Sequence, residues 1–157
     1  MTKQLGQKLS QQQPPPLPAP NSSKRDDAER ILMYKCILNS IVDSEAIYLE
    51  GLSVMVQYMN AMKVTMATPN PVIPKEDFEV IFFKIPELHD LHYTFHESLK
   101  RQAERWNGSA DCTIGHTFKM LASRTKIYSA YLANYAKALE ALHRCSETYP
   151  QFAELTR

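Results

Sequence analysis

Glycine is scarce in this chain. Its four glycines in 157 residues stand at 6, 51, 108 and 115, too scattered for a loop that cradles phosphate or for the turn of a dinucleotide fingerprint. Nucleotide binding through either loop is excluded. Cysteine is also rare: Cys36, Cys112 and Cys145 are an odd number at wide spacing, and two of them fall in helical patterns where a small hydrophobe serves. This points to a reduced, cytoplasmic setting. No run approaches the ~20 apolar residues of a membrane span, and Met1 to Ser10 lacks the apolar centre of a secretion signal, so the chain is expected to be soluble. Charge is nearly balanced, with eighteen basic and seventeen acidic residues giving a formal +1. That argues against a nucleic-acid binder working by phosphate neutralisation. Patterns of period two, the mark of strands, are nearly absent.

What is present is helical periodicity after a proline-rich start. A length of 157 residues with 44% hydrophobic content fits one domain with a real core. Residues 1–26 have little to bury, and Gln11 to Pro20 resists helix and sheet alike, so this segment is expected to be a disordered Gln/Pro-rich tail. Pro15 and Pro18 frame a Pro-x-x-Pro spacing of the kind SH3 domains read, although composition alone describes a solvated linker. From Ser23, Asp26 and Asp27, which offer caps, a first pattern runs through Ile31, Tyr34, Leu38, Ile41, Tyr48, Leu52, Met55, Met59 and Met62. Pro69, Pro71 and Pro74 mark a loop. A second pattern, Phe78, Ile81, Phe82, Ile85, Leu88, His92, Phe95 and Leu99, continues to Trp106 and is expected to bend or split just before Pro86. A third joins Ile114, Phe118, Leu121, Tyr128, Tyr131, Tyr135, Leu139 and Leu142. The fold expected for 27–157 is all-α: an elongated bundle of three long helices, each spanning about 45 Å at 1.5 Å per residue. Three such helices usually need a fourth to close the core, so some apolar surface is expected to stay open.

One acid interrupts the first stripe. Glu45 shares a helix face with Ile41, Tyr48 and Leu49, where an unpaired carboxylate would be costly. It must lie at the stripe's edge, have an internal partner, or meet a partner from another molecule. Other candidates for chemistry read more plainly. His89, His92 and His96 lie on one helical face, but His92 takes an apolar position and no His-Glu-x-x-His order is present, so no metal site and no cofactor are expected. No serine or cysteine has the context of an activated nucleophile, and no catalytic residue is assigned. Tyr128, Tyr131 and Tyr135 read as packing at or beside the core.

Three blocks then fall into a known order. Ile37 to Leu49, with Glu45 followed three residues later by Tyr48, resembles the first conserved region of Dbl-homology domains. Ile81 to Phe95 resembles the second, and Phe118 to Ala122 with Tyr128, Tyr131, Asn134, Tyr135 and Ala138 resembles the helix after it. The wording Phe82 to Leu88 and the ending Gln151 to Glu154 most resemble the breakpoint cluster region branch of that family.

The resemblance implies an elongated helical bundle that promotes guanine-nucleotide exchange on Rac- or Rho-like GTPases without covalent chemistry, in the cytoplasm and with recruitment to the plasma membrane. It implies Ser44, Glu45 and Tyr48 as GTPase-binding residues, with Glu45 an exposed contact for the first switch. On this reading Glu45→Ala abolishes exchange and leaves melting nearly unchanged. The family's last long helix is expected after Arg157 and is missing here, which leaves a second reading open: a non-catalytic helical scaffold that binds GTPases.

Overall fold

One long helix sets the frame. The computed structural model describes residues 21–106 and 114–157; Pro15, Pro18, most of the expected tail, and Cys112 lie outside the described residues. Helix α1 (Asn21–Thr65) is 45 residues long, or about 68 Å at 1.5 Å per residue. It begins a few residues ahead of the caps at Asp26 and Asp27. No proline interrupts it. At its end the Thr65 hydroxyl donates to the Met62 carbonyl at 2.7 Å and accepts from the Val72 amide at 3.3 Å. The proline-rich loop is thereby tied back, and Val72 and Ile73 are buried.

The second segment, expected to bend or split just before Pro86, is two helices. Helix α2 (Lys75–Ile81) stops at Phe82, and α3 (Ile85–Arg105) starts after Lys84, whose φ of 64° is left-handed. Pro86 sits in the first turn of α3, where its missing N–H is no loss. The third pattern is also divided, into α4 (Ile114–Ala122) and α5 (Thr125–Thr148). There the Ser123 hydroxyl donates to the Met120 carbonyl, and the Arg124 amide turns tightly back to Leu121. A short α6 (Pro150–Leu155) follows. Three long helices are therefore six among the described residues; the all-α class holds, with no strand among those residues.

Helix α3 packs antiparallel along α1. Tyr34 meets Trp106, Glu45 meets His92 and Ser53 meets His89, in opposite order along the two helices. Its buried face is Ile85, Leu88, His92, Phe95 and Leu99, the expected three-four spacing. A second packing centre joins the end of α1, the loop, α2, α5 and α6 around Met62, Ile73, Phe82, Cys145 and Phe152. Asn134 donates to the Val80 carbonyl at 2.8 Å, and Arg144 pairs with Asp77 at 2.5 Å, joining α5 to α2. The stripe expected to be the inner face of α5 faces inward only at its start, where Tyr128 reaches His92. Tyr135, Leu139 and Leu142 are exposed, while Ala141 and Cys145 are buried, because small side chains let α2 come close. Apolar surface is left open there, as expected from the sequence.

Candidate functional site

The acid in the α1 stripe has an internal partner. His92, at an apolar position on the inner face of α3, brings Nδ1 to 2.5 Å from Glu45 Oε1. The histidine is 6% exposed, and the Glu45 side chain 13%. The other ring nitrogen, Nε2, lies 2.6 Å from the Tyr128 hydroxyl of α5. A carboxylate accepts but cannot donate, so the network assigns a proton to Nδ1; a neutral ring then accepts the Tyr128 O–H at Nε2. Both nitrogens of a buried imidazole are satisfied, and three helices are linked through it.

Aromatic rings enclose the pair. Tyr48 stands edge-on to His92 with centroids 4.5 Å apart, and Tyr128 and Phe95 are edge-on at 5.7 and 6.5 Å. Burial pushes the Tyr128 hydroxyl up to about 12, with Tyr48 and Glu45 adding to the shift. Burial also raises Tyr48, helped by Tyr131 and Glu45. Tyr128 therefore stays a neutral donor far above neutral pH.

Beside Glu45, the surface opens into a groove of about 500 Å³, lined by Cys36, Ser44 and Glu45 of α1, Phe95 of α3, and Phe118 and Leu121 of α4. Phe95 and Phe118 meet edge-on at 5.2 Å, giving an aromatic wall. Apolar walls with a hydroxyl and a carboxylate among them suit an apolar side chain flanked by a hydrogen-bond donor. They offer binding, with no activated nucleophile at hand.

Of the residues singled out in the sequence, Ser44 and Glu45 come together on the groove, while Tyr48 packs on His92. Glu45 is not the exposed edge residue expected: its carboxylate is mostly covered and bonded within the chain. The three histidines do not converge. His89 faces Ser53 at 3.1 Å, His92 faces Glu45, and His96 lies 3.8 Å from Glu97. Sequence reasoning noted His92 as a polar residue at a core position and Glu45 as an acid at another, but did not pair them. Two misfits on two amphipathic stripes were the available signal.

Comparison with known proteins gives a consistent result. The RhoGEF domain model matches residues 37–157. The breakpoint cluster region protein of Rattus norvegicus is 34% identical over 138 residues, covering 87% of this chain and 11% of the relative. The active breakpoint cluster region-related protein of Xenopus laevis is 32% identical over 126 residues, covering 80% of this chain and 14% of the relative. A human protein described as FYVE, RhoGEF and PH domain-containing protein 2 is 29% identical over 125 residues, covering 78% of this chain and 19% of its own length. The chain thus spans a small part of each relative's length.

Proposed function

The chain belongs to the RhoGEF, or Dbl-homology, family, and on that premise we propose that it binds a Rac- or Rho-like small GTPase and promotes release of GDP. The observation that carries this reading is the family match across residues 37–157, which includes Glu45 and, apart from Cys36, the lining of the groove beside it. The physics is differential binding. A partner that prefers the nucleotide-free conformation lowers the cost of losing GDP, and GTP then displaces it. Switch loops are suitable targets because phosphate and magnesium hold them in order. In this reading the groove takes a switch segment, Glu45 accepts a hydrogen bond from it, and Ser44 and Tyr48 flank the contact. No bond to phosphorus is made or broken.

A second reading is supported by the Glu45–His92 bond itself. An acid satisfied within the chain needs no GTPase to explain it, as expected of a helical scaffold that binds without exchanging nucleotide. Release of fluorescent GDP from a panel of Rho-family GTPases separates the two. Acceleration by this chain, lost in Glu45→Ala, supports exchange. Binding to nucleotide-free GTPase without acceleration supports the scaffold, and neither binding nor acceleration overturns both.

A further inference from the structure

We propose that His92 is a positioning residue for Glu45: it holds the carboxylate by Oε1 and leaves Oε2 to accept a hydrogen bond from a GTPase segment in the groove. This inference rests on Glu45 being the acid that meets the GTPase.

Three observations carry it. The histidine occupies a position that the core does not need to be polar, since Ile85, Leu88, Phe95 and Leu99 fill the rest of the same buried face. A leucine at 92 would continue that face at no desolvation cost. Next, the ring is fixed from both ends. Nε2 lies 2.6 Å from the Tyr128 hydroxyl and Nδ1 faces Glu45 at 2.5 Å, and because a carboxylate only accepts, the proton at that contact is on Nδ1. Tyr48, edge-on at 4.5 Å, limits rotation of the ring. Finally, Glu45 belongs at once to this network and to the lining of the groove, and Oε2 takes no hydrogen bond from the described residues. A glutamate with three rotatable bonds would otherwise lose side-chain entropy on meeting a partner. Fixing one oxygen in advance reduces that loss.

The test uses the full chain, nucleotide-free Rho-family GTPase for binding and fluorescent GDP for exchange. His92→Leu keeps the apolar face but removes the donor. His92→Asn keeps an N–H donor at nearly the same distance from the backbone. The expected result for folded His92→Leu is a loss of about tenfold in affinity and exchange rate, the scale of one charge-assisted hydrogen bond. His92→Asn recovers to within roughly threefold of the parent, since the donor is restored without the ring. In a Glu45→Ala background, His92→Leu brings no further loss of affinity, since the carboxylate that the ring holds is gone. The inference is overturned if folded His92→Leu keeps the parent's affinity and rate, or if His92→Asn falls as far as His92→Leu. Full binding and exchange by Glu45→Ala would overturn instead the reading on which it rests.

Discussion

Glu45 Oε1 and His92 Nδ1 are bonded at 2.5 Å across the seam between α1 and α3, and each makes the other tolerable in an apolar face. An imidazole that is 6% exposed needs a partner for its N–H, and a carboxylate whose side chain is 13% exposed needs a donor. The bond supplies both, and Tyr128 completes the set.

Glu45→Ala is therefore expected to affect stability as well as binding. The truncation leaves the buried His92 N–H without an acceptor, at a cost of about 1–3 kcal/mol. This differs from the nearly unchanged melting expected from the sequence alone, which supposes an exposed acid. Glu45→Gln keeps a carbonyl oxygen for that N–H and is expected to cost about 1 kcal/mol or less, the net worth of a hydrogen bond's charge assistance. Urea denaturation followed by circular dichroism measures both; equal midpoints for Glu45→Ala and the parent would show that water replaces the carboxylate.

The contrast shows how much of the molecule was legible in its sequence. The helical class and the inner face of α3 follow from periodicity, because Leu88, His92, Phe95 and Leu99 can share a face only in a helix. The break at Phe82 to Lys84 was harder to place, since a left-handed lysine leaves no mark in a pattern of apolar residues. On α5, periodicity pointed to Tyr135, Leu139 and Leu142, whereas the face that meets α2 carries Ala141 and Cys145. Pattern strength measured size and apolarity, but close helix approach selects small side chains. The Glu45–His92 pair spans 47 positions, a separation that helix periodicity does not reach.

Tyr128→Phe is expected to flatten the loss of stability at alkaline pH. In the unfolded chain a tyrosine ionises near 10, while in the fold Tyr128 keeps its proton up to about 12. Between those values the folded state binds more protons than the unfolded state, so stability falls as pH rises. The contribution is whole below pH 10 and is lost as pH rises through the folded value. Phenylalanine has no proton to lose, although Tyr48 and Tyr131, also raised by burial, leave a residual slope. Urea midpoints between pH 8 and 11 give the comparison, and parallel slopes would show that Tyr128 ionises as freely in the fold as outside it.

Phe152 fastens α6 to the second packing centre. It is fully buried among Met62, Ile73 and Cys145, while Leu155 one turn later is 44% exposed. Phe152→Ala is expected to cost about 3–5 kcal/mol by leaving a cavity, and Leu155→Ala about 0.5 kcal/mol or less. The difference between their denaturation midpoints tests whether this short helix is part of the core; equal small effects would show that α6 is only loosely attached.

Cys36 offers a chemical probe of the groove. Its side chain is exposed and lines the groove with Ser44 and Glu45, whereas Cys145 is buried. Burial, with a hydrogen bond to Asp77 next in weight, pushes the Cys145 thiol up to about 11. At pH 8 roughly one Cys145 in a thousand would be thiolate, and alkylation needs the thiolate and access to it. In a Cys112→Ser background, brief treatment with N-ethylmaleimide at pH 8 is therefore expected to modify Cys36 and spare Cys145 until urea is added, as mapped by mass spectrometry. If a GTPase switch segment enters the groove, the adduct stands in its path, and affinity for nucleotide-free GTPase should fall by about tenfold, the equivalent of ~1.4 kcal/mol. The same treatment of Cys36→Ser should leave affinity unchanged. Full affinity after complete modification of Cys36 would place the GTPase contact elsewhere on α1, while the selectivity between the two thiols would still report the burial of α5 against α2.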